Sequence, residues 1–311
     1  MNYLVTGGAG FIGSNIVAEL LNRGHKVRVL DNFATGRRKN LDPFLDRIEL
    51  IEGDLRSYHI VRESVDNIDF ILHQGALPSV PRSIKDPITS NDVNVVGTLN
   101  ILDAALDAKV KRVVFASSSS IYGDSERLPK QEDMTPNPLS PYAVSKLAGE
   151  KYSQVFAKIY KLHTVALRYF NVFGPRQDPN SQYSAVIPKF IKAVLQDKQP
   201  TIFGDGLQSR DFTFVRNVVE ANILATTSDF PTGMVFNCAC HERIELKYLA
   251  EKISEILGKN IKPIYADQRP GDIKHSFANI ERIQEYLGYK PKVLFEEGLR
   301  RTIQWYSETE N

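Results

Sequence analysis

Apolar and polar positions along this chain follow two periods in turn. Residues 2–6 (Asn-Tyr-Leu-Val-Thr) make a short apolar run, the pattern of a buried strand, and glycines follow at once. From Phe11 to Asn22 apolar residues recur every three or four positions, which predicts a helix stopped by Gly24. Lys26 to Leu30 (Lys-Val-Arg-Val-Leu) predicts a second strand that ends at Asp31. Strand, helix and strand form a βαβ unit of ordinary size. The alternation continues with a strand at 48–51, a helix at 57–65, a strand at 69–72, a helix at 90–108, a strand at 112–116, a helix at 141–160 and a strand at 164–169. Apolar strands separated by helices imply a parallel sheet covered on both faces.

The pattern loosens after Asn171. Gly174-Pro175-Arg176-Gln177-Asp178-Pro179-Asn180 is a cluster of structure breakers. A helix at 185–196, short strands, and helices near 245–257, 279–286 and 295–308 follow, while a helix at 216–228 and a strand at 234–237 return to the first sheet. The expected architecture is α/β, a Rossmann-type doubly wound parallel sheet with a smaller α+β C-terminal domain. Residues 1–171 with 212–237 form the dinucleotide-binding part, and 172–211 with 238–311 form the substrate part.

Composition narrows the class. The chain has 311 residues, 42% of them hydrophobic, enough for a core of one large domain or two moderate ones. Its 39 basic and 37 acidic residues leave a net charge of +2, so no polyanion-binding surface is indicated and nucleic acid is not an expected partner. Cys238 and Cys240 are too few and too close for a disulfide framework and read as buried thiols in a reducing compartment. No histidine pair stands at metal-ligand spacing, so no metal is expected, and His73 and His275 read as structural. No apolar run reaches membrane-spanning length, and the chain enters its first strand without a charged leader, so a cytoplasmic protein is expected. Trp305 is expected to anchor the last helix.

Two elements carry chemistry. Gly7-x-x-Gly10-Phe11-Ile12-Gly13 follows a strand and opens a helix, where glycine lets backbone approach a pyrophosphate and the helix N-terminus supplies free N–H groups. Asp31 ends the next strand, where a carboxylate accepts from both ribose hydroxyls and repels a 2′-phosphate, favouring NAD over NADP. Arg37, Arg38 and Lys39 leave that choice open, since arginine there could accept the phosphate. Asp54-Leu55 is placed for adenine, with a helix N-cap as the alternative for Asp54, and Gln74-Gly75-Ala76 for the pyrophosphate and ribose. The second element is Tyr142-x-x-x-Lys146, whose residues share one helix face, downstream of Ser117 to Ser120 at a strand end. A neighbouring ammonium is expected to lower the Tyr142 pKa and make it a general base, with a serine hydroxyl on the reacting oxygen.

These motifs, together with Asp31-Asn32, Gly53-Asp54-Leu55, Asn94-Val95-Val96-Gly97-Thr98, Arg168-Tyr169-Phe170-Asn171, Gly204-Asp205-Gly206 with Arg210-Asp211, and Arg269-Pro270-Gly271-Asp272, resemble the extended short-chain dehydrogenase/reductase family over essentially the whole chain. Within it they resemble the nucleotide-sugar 4-epimerases. The resemblance implies that Tyr142 takes the proton of a sugar 4′-hydroxyl, that Lys146 holds the nicotinamide ribose, and that Ser118 bonds the 4′-oxygen with Ser119 and Ser120 lining the pocket. It implies NAD as a tightly held cofactor, contacted also by Asn32, Asn94, Ser117 and Tyr169. Asn171, Arg210 and Arg269 would face the diphosphate, and Asp272 a ribose or Arg269. Ser79, Ala185, Val186, Lys189, Phe203 and Ser276 would complete the UDP-sugar site. Read from the residues alone, Arg210 could instead pair with Asp205 or Asp211, and Arg269 with Asp272. The family pairs the helices at 90–108 and 141–160 across a homodimer as a four-helix bundle.

Resemblance also sorts the relatives. Sugar-nucleotide 4,6-dehydratases carry Asp-Glu where Ser119 and Ser120 stand, and uronate decarboxylases carry glutamate at Ser120. Uronate 4-epimerases show threonine at Asn171 and arginine at Asp178. Neutral hexoses are left. Pro78 to Ser83 resembles the branch acting on N-acetylated sugars, and Ser276 replaces a bulky tyrosine of the enzymes restricted to non-acetylated ones. The expectation is UDP-N-acetylglucosamine and its galacto epimer alongside UDP-glucose and UDP-galactose; a wide pocket never used for the acetamido group fits equally. The rival classes are another nucleotide-sugar enzyme on this scaffold and a dinucleotide sensor without catalysis, which would need no Tyr142, Lys146 and Ser118 together.

Overall fold

The computed structural model describes residues 1–179, 185–267 and 274–309. Four successive buried residues, Tyr3 to Thr6, make β1 (Asn2–Thr6) an interior strand of a parallel sheet. The N-terminal half runs α1 (Phe11–Asn22), β2 (Lys26–Asp31), β3 (Ile48–Glu52), α2 (Tyr58–Ser64), β4 (Phe70–His73), α3 (Val80–Lys85), α4 (Pro87–Asn91), α5 (Gly97–Asp107), β5 (Arg112–Ser118), α6 (Pro141–Tyr160) and β6 (Thr164–Tyr169). The rest runs β7 (Val172–Phe173), α7 (Val186–Leu195), β8 (Thr201–Phe203), β9 (Ser209–Arg210), β10 (Thr213–Phe214), α8 (Val215–Thr227), β11 (Met234–Cys238), β12 (Ile244–Glu245), α9 (Leu246–Ile256), β13 (Ile264–Ala266), α10 (Glu281–Leu287) and α11 (Phe295–Thr309).

Seven strands form one Rossmann-like sheet in the order β11-β6-β5-β4-β1-β2-β3. Strand order reverses between β1 and β4, so a crevice opens at their carboxyl ends, where ligands bind in such sheets. Thr6, His73, Ser118 and Tyr169 are the last residues of four adjacent strands; Thr6 pairs with His73, Ser118 pairs with Tyr169, and β5 runs three residues beyond Phe115, the partner of His73. Alternation sends Tyr3 and Val5 into one apolar cluster and Leu4 into another, so both faces are covered. The larger cluster runs on without a break to Leu299 and Tyr306 of α11, and Trp305 packs against it.

The helix expected at 90–108 is a longer, broken rod. It begins at Pro87, and a π turn spans Asp92–Val96 between α4 and α5. The Thr98 hydroxyl donates to the Asn94 carbonyl at 2.6 Å, and the Asn94 side chain is held by Leu77. Side chains inserted into the ladder in this way widen a turn. Strand β5 runs to Ser118 rather than 116, because Ser117 and Ser118 pair with Arg168 and Tyr169 of β6. β11 pairs parallel to β6, the return that the pattern at 234–237 predicts.

Candidate active site

The crevice is a cavity of about 1090 Å³. A second cavity of about 290 Å³ adjoins it and shares Asn171, Val172, Ala185 and Arg210 with it. Gly7, Gly10, Phe11, Ile12 and Gly13 line the first cavity where α1 begins. Gly7 has φ +66°, and a Cβ there would lie 2.8 Å from the Gly75 Cα. A Cβ on Gly13 would lie 2.1 Å from the Gly7 carbonyl oxygen, so the turn exists only as bare backbone. The start of α1 has no side-chain cap and no acidic residue in its first turn, which leaves its N–H groups for an anion.

Asp31 lines the same cavity. Its carboxylate accepts from the Ala9 and Phe33 N–H groups at 2.9 and 2.8 Å, and each oxygen keeps a further acceptor position. Burial raises its pKa, and those two bonds work against the rise. Asn32 donates to Asp54 at 2.9 Å, and Arg56 holds the Asp54 pKa down to about 2. Asp54, Leu55, Gln74 and Ala76 also line the crevice. Arg37 pairs with Asp178 at 3.0 Å; Arg38 pairs with Glu52 and stacks 4.0 Å over Phe33. Both arginines that a 2′-phosphate would use are thus engaged with carboxylates.

A buried relay holds the crevice walls together. Thr98 donates to the Asn94 carbonyl, so it must accept from His73 Nε2 at 3.0 Å; His73 Nδ1 then accepts from Thr6 Oγ1 at 2.7 Å, and Thr6 Oγ1 accepts from the Gly75 N–H at 3.0 Å. One neutral tautomer satisfies every member, and burial, with a smaller contribution from Lys146, pushes the His73 pKa down to about 3. Asn94, expected at the cofactor, is 2% exposed and does not line the cavity. Its side chain accepts from the Leu77 N–H at 2.8 Å and donates to Ser145 at 2.9 Å, joining the loop after β4 to α6. Tyr169 lines the cavity and bonds Gln74 and Asn222.

Tyr142, Lys146 and Ser118 converge as expected, but their electrostatics differ from expectation. Ser140 caps α6 and Pro141 opens it, which fixes Tyr142 in its first turn. Ser118 lies near enough to the Tyr142 hydroxyl to act on its pKa, and both residues line the cavity. Lys146 Nζ donates to the Ala116 carbonyl at 2.9 Å, and burial lowers its pKa to about 8. Burial raises the Tyr142 pKa and only the nearby Ser118 hydroxyl opposes the rise, so the expected depression by Lys146 is absent. The ammonium is bonded to a strand carbonyl instead of the phenol, and the cost of burying a charge outweighs its field.

The serines separate by face. The Ser117 hydroxyl, expected toward the cofactor, donates to Glu150 at 2.9 Å behind the sheet end, although the residue lines the cavity. Ser119 and Ser120 begin a short 3-10 turn and line the cavity, and Ser120 Oγ is buried without a hydrogen-bond partner. Ser79 lines the cavity while capping α3, where it accepts from the Arg82 N–H at 3.1 Å. Asn171 lines both cavities with φ +35° and donates to the Asp211 carbonyl at 3.2 Å. Arg210 also lines both, and its guanidinium donates to the Ser209 and Lys274 carbonyls at 2.9 and 3.3 Å. Asp211, pushed up to about 7 by burial, accepts the Cys240 and Ala278 N–H groups instead of pairing with Arg210. His275 bonds Ser209 beside it, and Ser276 lines the main cavity. Ala185, Val186 and Phe203 line the smaller cavity. Lys189 is exposed and lines neither one. Arg269 and Asp272 lie outside the described residues.

Residues 3–239 match the model of the NAD dependent epimerase/dehydratase family. The chain belongs to this family. It is 37% identical over 310 residues to the UDP-glucose 4-epimerase of Mycolicibacterium smegmatis, covering 98% of each chain. A solved UDP-N-acetylglucosamine 4-epimerase from Methanobrevibacter ruminantium, in complex with UDP-N-acetylmuramic acid, is 42% identical with a TM-score of 0.94 over 99% of this chain and 98% of that one. The UDP-glucose 4-epimerase of Thermus thermophilus, solved with NAD, is 38% identical with a TM-score of 0.90 over 99% of this chain and 100% of that one. The extended short-chain dehydrogenase/reductase resemblance is therefore correct, NAD is the cofactor, and with full-length 4-epimerases as relatives the chain is an isomerase.

Members of the family need a cradle for a diphosphate, and this chain has one in the capless start of α1 and the glycines that admit no Cβ. Cavity residues not anticipated from sequence include Arg82, Lys130 and Arg176. Arg176 has φ +70°, donates to the Ser14 carbonyl at 2.9 Å and lies 5.3 Å from the Phe44 ring centroid, which ties the 174–178 loop to α1. Its signal was the breaker cluster itself, read as a connection and not as a wall. Among the described residues no group of side chains could hold a metal ion, and no helix is long and apolar enough to cross a membrane.

Proposed function

We propose that the chain is a UDP-sugar 4-epimerase acting on UDP-glucose and UDP-galactose and also on their N-acetylated counterparts. The observation that carries this reading is the convergence of Tyr142, Lys146 and Ser118 on the NAD crevice, beside serines where elimination chemistry would need carboxylates. Bound NAD would supply a reversible hydride acceptor and a positive charge. Tyr142 Oη takes the proton of the 4′-hydroxyl and returns it after the sugar has turned over; Ser118 holds the reacting oxygen between them. The raised Tyr142 pKa means that this base needs the cofactor's charge to ionise near neutral pH. Ser120 Oγ, buried and unpartnered, is a ready contact for a sugar hydroxyl. Residues 1–171 with 212–237 hold the cofactor, and 172–211 with 238–311 hold the nucleotide sugar.

The acetamido group is accommodated beside Ser276, a small residue in the cavity wall. Purified protein incubated with each of the four UDP-sugars, without added NAD, should produce the matching epimer from all four. Ser276→Tyr should lose turnover of the acetylated pair while keeping the other; equal acetylated turnover would refute the gate.

The same reading includes a homodimer. Ile84, Ile88, Val144, Val155 and Ile159 of α3, α4 and α6 are 64%, 74%, 52%, 44% and 63% exposed, an apolar face larger than a monomer's surface normally shows. A second copy packed on it through the rod of α4 and α5 with α6 would form a four-helix bundle.

A further inference from the structure

Tyr142, Lys146 and Glu150 stand at i, i+4 and i+8 of α6, so one helix face carries the catalytic pair and then a carboxylate. Glu150 is fully buried, and Arg168 of β6 grips it with two bonds, Nε to Oε2 at 3.0 Å and Nη2 to Oε1 at 2.7 Å. Two further bonds lead from this pair to the catalytic serines. Glu150 Oε2 accepts the Ser117 hydroxyl at 2.9 Å, and Arg168 Nη1 donates to the Tyr122 hydroxyl at 2.7 Å. Ser117 and Tyr122 bracket the Ser118–Ser120 segment, and Tyr122 is itself anchored at 2.6 Å on Asn237 of β11. Ser118 Oγ then accepts from the Ser120 N–H at 3.2 Å, and Ser118 shares the cavity wall with Tyr142, near enough to act on its pKa.

A fully buried ion pair is a poor stabiliser, because desolvation consumes most of the attraction. Its location therefore needs another reason, and the bonds supply one. We infer that Glu150, held by Arg168, is a positioning residue that fixes the Ser117–Ser120 turn and through it the Ser118 hydroxyl against Tyr142. Lys146 pins α6 to β5 at Ala116, and Glu150 pins it again one residue on, at Ser117. Together these bonds set both the rotation of α6 and the end of β5, the two elements whose side chains must meet.

The inference rests on the epimerase reading for its kinetic test. In Glu150→Gln, kcat should fall about 10- to 100-fold, the scale of a small misplacement of a reacting group, with KM changed less than roughly 3-fold. Ser117→Ala, which leaves the ion pair intact, should lower kcat in the same direction with a smaller loss of Tm than Glu150→Gln. In a Ser118→Ala background the Glu150→Gln loss should shrink to less than roughly 3-fold, since the group it positions is gone. Support independent of turnover comes from NMR of ring-labelled tyrosine: the Tyr142 resonance, assigned with Tyr142→Phe, should shift in Glu150→Gln and in Ser117→Ala as it does in Ser118→Ala. Full additivity with Ser118→Ala, or an unmoved Tyr142 resonance, overturns the inference. A wild type inert toward every UDP-sugar overturns the proposed function instead, and the NMR comparison still decides the role of Glu150.

Discussion

Replacing Thr6 with valine keeps the shape of the side chain and removes one oxygen from the relay behind the glycine turn. Thr6 and His73 are both buried, so water does not reach His73 Nδ1, while Gly75 stands at the cavity wall. The Gly75 N–H loses its acceptor and His73 Nδ1 loses its donor. Turning the His73 tautomer over does not help, because Thr98 already spends its proton on Asn94. Each unsatisfied group costs about 1 to 3 kcal/mol and the added methyl returns about 1 kcal/mol, so with two groups the net loss should be about 1 to 5 kcal/mol. Thermal unfolding followed by circular dichroism should show a Tm lower by on the order of 5 °C. NAD affinity should fall with it, since Gly75 abuts the turn at Gly7. Thr6→Ser restores the hydroxyl and loses only a methyl, about 1 kcal/mol. A Thr6→Val protein as stable as Thr6→Ser would refute the relay.

Three further outcomes are expected. Tyr142→Phe should bind NAD and UDP-sugar as before and lose kcat by about 10²- to 10⁴-fold, the range for a general acid–base group; near-normal turnover would remove the catalytic assignment. Lys146 is charged when unfolded until its ordinary pKa of 10.5 but is held near 8 when folded, so the folded state binds fewer protons between those values. Wild-type stability should accordingly rise from pH 8 to 10.5 relative to Lys146→Met, whose stability should match or exceed wild type near neutral pH while its activity is lost. Ile159→Glu should convert the proposed dimer to a monomer in light scattering; a dimer that persists would place the interface elsewhere.

Much of the frame was readable because it rests on local rules. Period-two and period-three-to-four patterns marked the strands and helices, and the glycines at 7, 10 and 13 marked the turn because no side chain fits there. What was not readable is set by partners far apart in sequence. Asn94 looked like a cofactor contact, yet its amide is consumed by Leu77 and Ser145, 17 and 51 residues away. Ser117 looked like its neighbour Ser118, but strand alternation sends its hydroxyl to Glu150 on the other face. Arg37 looked available for a phosphate until folding brought Asp178 beside it.

The clearest divide between pattern and chemistry lies in Tyr142. Spacing put Lys146 on its face, and proximity suggested an acidified phenol. Folding gave the ammonium a carbonyl of its own at Ala116 and enclosed both groups, so burial decides both pKa values and pushes them toward their neutral forms. Lys146 still carries its charge below about pH 8 but spends it on the Ala116 carbonyl, so the phenol keeps its proton until a further positive charge arrives in the crevice. In the bare protein, then, the Tyr142 resonance should titrate above the ordinary tyrosine value, and loading with NAD should bring it down. Titration of Tyr142 at the same pH with and without the oxidised cofactor would show that its basicity is set by the protein alone, contrary to the electrostatics of this site.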